Sequence, residues 1–396
     1  MKNSPFLSFE LETGETELAL AVERSETAFA DVADTGNQAA TATGLESLGA
    51  GNSLYDDVVG MTGAEARAEF DLLSGEIHAS MPAALTQDSQ YTRDALIARL
   101  RLASGAVGAT HAPGLADGRM AFAPVPGEQP AAWGQAYGGW GHLDGDGDAA
   151  TLDQSAGGLL LGADATIALW RVGGMIGFGD GSYDLDNRAS SGETKSFHLG
   201  AYAGRDWGAV GFRSGVSMSW NQISTDRRSS DEDLSADYDG RTAQIFGELA
   251  RRIESGATAF EPYVGLAYVH LTTDGFEETG GAAALSGKAA SMDTTFTTLG
   301  VRGSHDTQLG AARATLSGGI GWRHAFGDVA SSATMAFDGG AGFEVAGVPI
   351  AEDVGLLDLG LDMALSPTSA LAVDYQGEFA SGAATNRLAA TLTIRF

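Results

Sequence analysis

From residue 131 to its end, the chain alternates between apolar and polar residues. In AVGFRSGVSMSW, Val210, Phe212, Val216 and Trp220 share one face, while small residues and Arg213 share the other. A period of two predicts a β-strand with one apolar face. We predict about twelve such strands. They lie at approximately 131–142, 154–169, 171–183, 193–205, 207–223, 238–253, 257–274, 288–304, 310–327, 352–366, 369–380 and 386–396.

The chain ends inside this pattern. In the closing stretch RLAATLTIRF, Leu388, Leu392, Ile394 and Phe396 alternate with small or polar residues. Chain ends are usually solvated, so a terminal apolar stripe predicts that the last segment is built into the sheet. We expect this last strand to pair with the first one.

The connections between the strands alternate in length. Short ones such as LWR, RDW and ESG alternate with long ones such as STDRRSSDEDLSADYDG. Outer-membrane barrels sort their connections in this way, with tight periplasmic turns and longer outer loops, whereas a soluble sandwich has no reason to do so. The pattern therefore predicts an all-β fold, a twelve-stranded antiparallel transmembrane β-barrel. Its polar faces would line a wet lumen, and tryptophans such as Trp133 near strand ends would anchor it at the membrane interface.

The first part of the chain has a different character. Residues 1–36 read as two short strands, a β remnant, and residues 37–104 read as a helical junction. Its last helix is predicted at about 88–103. Residues 105–130 hold four prolines and five glycines and are predicted to be a linker to the barrel at 131–396.

Composition narrows the class of partner. With 52 acidic and 23 basic residues the net charge is −29, so the chain should repel nucleic acid. It has no cysteine, and no run of apolar residues is long enough for a transmembrane helix. The opening stretch MKNSPFLSFELETGE lacks the apolar segment of a signal peptide. For an exported protein we expect the signal to lie further upstream.

Candidate catalytic and metal-binding motifs are weak. DGDGD at 144–148 supplies three acids of an EF-hand loop, but Ala149 and Ser155 stand where that loop needs glycine and glutamate. A solvated acidic hairpin tip is the preferred interpretation, and weak divalent binding stays open. Glu76 and His78 belong to no HExxH motif, and no GxSxG motif occurs. We predict no catalytic, cofactor-binding or metal-binding residues. One function that the barrel pattern leaves open, as an alternative to the function considered next, is a self-contained outer-membrane porin or barrel enzyme.

Four segments of the chain resemble one family. LSGEIHAS at 73–80 precedes the barrel, WGQAYGGWG at 133–141 forms the first strand, AFDGGAGFEVAGVPI at 336–350 is a late loop, and Phe396 ends the chain. Together they resemble the C-terminal translocation unit of a single-chain type V autotransporter. The resemblance implies a twelve-stranded barrel in the bacterial outer membrane, with a helical segment threaded through the pore and an upstream passenger exported to, or anchored at, the cell surface.

The same resemblance implies partners. The barrel-assembly machinery would read an insertion signal at Leu388, Leu392, Ile394 and Phe396. Periplasmic chaperones, outer-membrane lipid and the chain's own passenger are the other expected partners of a monomeric unit. Some members of the family release their passenger at an Asn–Asn pair in the pore helix. No Asn–Asn pair occurs in this sequence, so self-cleavage is not carried over.

Charge is expected to hold the pore helix. After Asp88 at its start, the predicted helix carries Arg93, Arg99 and Arg101 against one acid, Asp94. Alternation points four acids of two neighbouring strands into the lumen. These are Asp358, Asp362, Asp374 and Glu378. Arginine paired bidentately with carboxylate suits such a partly desolvated bore. Alternatively, the acids pair with arginines of the barrel wall. These are Arg213, Arg252, Arg313, Arg323 and Arg395.

Overall fold

A computed structural model describes most of the chain. The described residues are 3–13, 18–107, 109, 114–116, 119–121, 130–229, 232–256, 258–309, 312–366 and 369–395. The elements before the barrel are β1 (Leu7–Thr13), β2 (Leu18–Arg24), α1 (Gly36–Glu46), α2 (Ser53–Val59), α3 (Gly63–Leu73), α4 (Glu76–Ser104), β3 (Gly114–Ala116) and β4 (Arg119–Ala121). Strands β1 and β2 pair as an antiparallel hairpin, as do β3 and β4. The predicted linker at 105–130 lies largely outside the described residues.

Twelve long antiparallel strands in the described part of the chain form a closed barrel. They are β5 (Ala131–Leu143), β6 (Leu152–Ile167), β7 (Trp170–Leu185), β8 (Ser190–Trp207), β9 (Val210–Ser229), β10 (Glu232–Arg251), β12 (Thr258–Thr273), β15 (Ala290–Leu309), β16 (Ala312–Gly327), β19 (Asp353–Ala364), β20 (Ser369–Ala380) and β21 (Ala383–Arg395). The short strands are β11 (Ile253–Ser255), β13 (Phe276–Glu277), β14 (Leu285–Gly287), β17 (Ser332–Phe337) and β18 (Phe343–Ala346). The last strand pairs with the first from Ala383↔Leu143 to Arg395↔Ala131, so the predicted barrel and its closure are confirmed.

The period of two separates an outer from an inner face, as predicted. On β9, Val216 and Trp220 point outward and are 48% and 39% exposed, whereas Arg213 points inward and is 3% exposed. The outward stripe can face lipid, and the inward stripe surrounds a polar lumen. Trp133 departs from the prediction, because it points inward and is buried instead of anchoring the barrel at the interface.

Two of the predicted long loops are in fact strands. Strands β7 and β8 pair as far as Leu185 and Ser190, slightly beyond the predicted ends, and β9 and β10 pair as far as Ser229 and Glu232, six residues beyond the predicted ends. The alternation continues in these extensions with buried inward residues, among them Leu185 and Leu234. The inward apolar side chains of these extensions line the barrel near the long loops. Helix α4 packs in the interior that they surround.

The other long connections form a lid. Strands β13, β14, β17 and β18 make a four-stranded sheet from two loops, and α1 packs on β18. Phe343 of this lid meets α1 at Gly44, where an added Cβ would lie only 2.4 Å from its ring. The helical junction therefore packs on the loops of the barrel rather than standing apart from them.

Helix boundaries follow local capping. Thr35 caps α1 by accepting a hydrogen bond from the Gln38 backbone, and Thr62 forms a capping box at α3. Helix α4 begins after Gly75, so the predicted start near residue 88 is wrong. Every side chain from Glu76 to Gln87 is buried, and this packing outweighs the hydrogen bond lost at Pro82 inside the helix. No helix in the described ranges is long and apolar enough to cross a membrane.

Candidate functional site: the helix in the lumen

Helix α4 runs along the inside of the barrel. With 29 residues it is roughly 43 Å long at 1.5 Å per residue, enough to pass the hydrocarbon thickness of a bilayer. Its first residues contact the long loops, and its last residues contact the short turns at the other end, where Arg252 donates to the Gly105 carbonyl at 2.7 Å. Gly105 ends the helix with a φ of 63°, which favours glycine.

The two segments 73–80 and 336–350 meet at the outer end of α4. Gly75 precedes the helix with a φ of 66°, and an added Cβ would lie 2.5 Å from Leu285. Gly347 of the late loop lies so close to the helix that a Cβ there would be 2.1 Å from the Ala79 carbonyl oxygen. The Val348 backbone N–H donates to Ser80 Oγ at 3.0 Å. Glycine is therefore required on both sides of this contact.

A buried clamp joins the same end of α4 to the lid. His78 Nε2 lies 2.9 Å from Glu278 Oε1, and its ring stacks on Phe276. Arg227 donates to both oxygens of Glu278, at 3.1 and 2.5 Å. Burial lowers the pKa of His78, against the opposing pull of Glu278. Burial also opposes the charged form of Glu278, but hydrogen bonds from His78 and Arg227 lower the pKa of this carboxyl to about 2.

Glu76 makes a second contact at this end. It accepts a hydrogen bond from Arg188 at 2.9 Å and another from the Ala150 backbone. Burial raises the pKa of Glu76, and the charge of Arg188 opposes that shift. Glu76 and His78, which belong to no recognised catalytic motif, thus serve to fasten the helix.

Polar side chains hold the middle of α4. Gln244 donates to the Ser89 carbonyl at 2.7 Å and to Thr92 Oγ1 at 2.8 Å. Thr92 Oγ1 also lies 3.2 Å from Ser217 Oγ on β9. Arg93 donates to Gln244 Oε1 at 3.1 Å. These hydrogen bonds satisfy the buried polar groups in the middle of the helix.

The strongest ionic contact lies nearer the turns. Arg99 donates to both oxygens of Asp164, at 2.5 and 2.7 Å. Asp164 also accepts from Tyr202 at 2.7 Å and from Arg171. Trp133 donates its indole N–H to Tyr202 at 2.6 Å, which accounts for its inward position. Sequence reasoning missed Asp164, although alternation along β6 from Gln154 and Leu160 places it on the inner face.

Glu378 does not pair with an arginine of α4 as expected. It is bound by Arg323, one of the wall arginines of the alternative, and by Arg387 of the wall, which the alternative did not include. The helix acid Asp94 in turn lies 3.0 Å from Arg387. The expected pairing of helix arginines with Glu378 is corrected, because Glu378 is already bound by wall arginines and Arg99 reaches Asp164 on β6, three strands away from β20.

The other residues of that prediction lie along the same lumen. Asp358 and Asp374 line a cavity that also contains Arg101, whose guanidinium donates to the Val107 carbonyl at 2.7 Å. Asp362 is buried in the wall. Arg213 bonds Glu248 and Glu261, whereas the side chains of Arg313 and Arg395 lie outside the description.

The closing strand shows part of its predicted signal. Leu388 and Leu392 point outward and are 46% and 43% exposed. Ile394 lies within β21, and Phe396 falls outside the described residues. Their role in insertion stays a prediction.

The acidic loop at 144–148 has a structural role. Asp148 accepts a hydrogen bond from the Gly36 backbone at the start of α1, at 2.6 Å, and its own backbone donates to Asp146 at 3.0 Å. Within the described ranges no group of three or more His, Cys, Asp or Glu is arranged to hold a metal ion. The loop joins the lid to the helical junction.

Comparisons with known proteins agree with this architecture. A family profile described as "Autotransporter beta-domain" matches residues 132–376. Two proteins of Serratia marcescens, each named "Extracellular serine protease", are 32% identical over 91% of the chain and 31% identical over 96%. The chain spans about a third of their length, 34% and 35%.

Two solved structures share the fold. The translocator domain of NalP from Neisseria meningitidis aligns over 80% of this chain and 99% of its own, with a TM-score of 0.62 and 17% identity. The β domain of the Bordetella protein BrkA aligns over 68% of this chain and 100% of its own, with a TM-score of 0.53 and 19% identity.

Proposed function

Because this chain belongs to the autotransporter β-domain family, we propose that its barrel stands in the outer membrane and exports the polypeptide that precedes α4 to the cell surface. The observation that carries the proposal is the path of α4. The helix enters at the long loops and leaves at the short turns, next to the start of β5. A chain that reaches the first strand through the bore must have its preceding part on the outer side.

The position of the helical junction supports the same direction. Helix α1 packs on the lid and α3 packs on β9, where Arg227 donates to the Leu72 carbonyl of α3 at 3.0 Å. Residues 1–36 would then be the end of the passenger, 37–104 the junction and 105–130 the return to the barrel. An open porin is disfavoured, because α4 fills much of the lumen that such a protein needs for diffusion.

The nature of the passenger belongs to the same proposal. The Serratia relatives are named as extracellular serine proteases and are about three times as long as this chain. A barrel of this kind would release or display such an enzyme while taking no part in its chemistry. The barrel-assembly machinery and periplasmic chaperones are the proposed partners in insertion, and the C-terminal strand is the proposed signal.

Export can be tested with a reporter. A small epitope-tagged domain is fused ahead of residue 1, behind a signal peptide, and produced in a Gram-negative host. We expect antibody to label intact cells and added protease to remove the tag. Deletion of Phe396 is the matched control and should lower both the heat-modifiable barrel and the surface label, because the closing strand would lose its proposed signal. A folded, membrane-inserted barrel whose reporter stays protected inside the cell would contradict the proposal.

A further inference from the structure

Helix α4 does not sit in the centre of the barrel. It packs closely against β8 and β9 and also contacts β6, β7, β10, β12 and β15. On the side of β16, β19 and β20, cavities separate the helix from the wall. A smaller cavity of about 30 Å³ lies on the side of β8 and β9, so the two larger cavities mark the less densely filled side of the bore.

The cavities form a row along the helix. The one nearest the turns has a volume of about 100 Å³ and is lined by Arg101 and Asp374. The next is also about 100 Å³ and shares Asp94 and Asp358 with the first. The outermost is only about 10 Å³. Since a water molecule needs roughly 10–15 Å³, the first two cavities hold several waters and the third holds at most one.

The narrow cavity coincides with a cluster of charges. Its lining shares Arg323 and Glu378 with the middle cavity. Arg323 donates to both oxygens of Glu378, at 2.9 and 2.6 Å, and to Gln90 Oε1 of the helix at 2.7 Å. Arg387 contacts Glu378 and Asp94, the latter at 3.0 Å. We call these five residues the charged seal. They bridge the helix and the wall where the row of cavities is narrowest.

The charged seal is electrically balanced. Asp94 and Glu378 carry two negative charges, and Arg323 and Arg387 carry two positive charges. Loss of either Glu378 or Arg323 leaves one uncompensated charge beside the narrowest point. Fixed charges at a constriction select the sign of a permeating ion.

We propose that the charged seal closes a water-filled path beside α4, and that breaking it opens an ion-conducting side path while the helix stays in place. This inference rests on the proposed function in one respect: both require that the helix stays in the lumen of the folded barrel. It predicts a sign rule: a Glu378→Gln path conducts anions, and an Arg323→Gln path conducts cations.

The test needs the helix to be locked. The chain has no cysteine, and Thr92 and Ser217 place their oxygens 3.2 Å apart on the packed side of the helix. The double variant Thr92→Cys/Ser217→Cys therefore provides a single engineered disulfide, whose formation is checked by thiol labelling. Heat-modifiable mobility checks that each barrel has folded.

Conductance is then measured in planar lipid bilayers under a KCl gradient. In the locked barrel we expect Glu378→Gln to raise single-channel conductance several-fold, with a reversal potential shifted toward that of chloride. Arg323→Gln should shift it toward that of potassium. The control is Asp153→Asn, which removes an exposed carboxylate on the outward face of β6, away from the row of cavities and from the contacts of α4. It should conduct like the locked parent.

Three results would overturn the inference. One is a locked Glu378→Gln barrel that conducts no more than its locked parent, which would mean that conduction requires the helix to leave. The second is the same ion preference in both seal variants. The third is an equal rise in the Asp153→Asn control. Failure of the disulfide to form in a folded barrel would instead speak against the helix occupying the lumen, and hence against the proposed function itself.

Discussion

Replacement of Asp164 by asparagine should loosen α4 more than any other single change near the turns. Asp164 receives hydrogen bonds from Arg99 and Tyr202 and an ionic contact from Arg171, and both Asp164 and Arg99 are about 5% exposed or less. Asparagine has nearly the same shape but only one accepting oxygen and no charge. The guanidinium of Arg99 would remain buried without the carboxylate that binds it. Removing one partner of a buried ion pair typically costs about 3–5 kcal/mol.

The assay is thermal unfolding of the purified barrel in detergent, followed by the heat-modifiable mobility shift and by tryptophan fluorescence. Trp133 reports on the site because its indole binds Tyr202. Asp153→Asn is the matched control, since Asp153 lies on the same strand but points outward and is exposed. A double-mutant cycle with Arg99→Gln isolates the coupling of the pair. The reasoning fails if Asp164→Asn unfolds at the same temperature as Asp153→Asn, or if the coupling is close to zero.

Two further predictions concern the outer end of α4. Gly75→Ala should destabilise the barrel by more than the roughly 1–2 kcal/mol that a left-handed backbone costs, because the added Cβ meets Leu285. Gly49→Ala is the control, since Gly49 has a φ of 74° and open space around it and should show the backbone cost alone. Equal losses of stability in urea unfolding would refute the packing argument. Lowering the pH from 7 to 5 should weaken the clamp. His78 has a folded pKa below 6.5, so its stabilising effect is complete above that pH and declines below it, whereas Glu278, with a pKa of about 2, adds its loss only below about pH 4.5. A His78→Gln variant should lose less thermal stability over this interval than the parent, and an identical loss would contradict the assignment.

The sequence predicted the barrel because its strands carry their own orientation. Alternation along β9 places Val216 outside and Arg213 inside whatever the helix does. The same rule failed to locate the strand ends. Leu234 belongs to a strand that begins six residues before its predicted start, and Tyr238 of the same strand is buried against His78 of α4, a contact that no local pattern reveals.

The contacts of the helix were harder to predict than its existence. Alternation identifies Glu378 as an inward acid, and this proved correct, but it does not say how far along the barrel axis an arginine of α4 will lie from it. That distance depends on where the helix begins. Since α4 begins at Glu76 and not near 88, its fastening points include Glu76 and His78, which lie outside the predicted helix.

The distribution of partners bears on when the helix can dock. Helix α4 is held by buried apolar residues such as Ile77 and Leu96 and also by polar contacts at several heights. Asp94 binds Arg387 on the closing strand β21, and Arg99 binds Asp164 on β6, which is separated from β21 by β5. Both contacts exist together only after β21 has paired with β5. We infer that the helix gains its full set of ionic contacts upon barrel closure, so that a barrel still open at this seam would leave the helix free to slide.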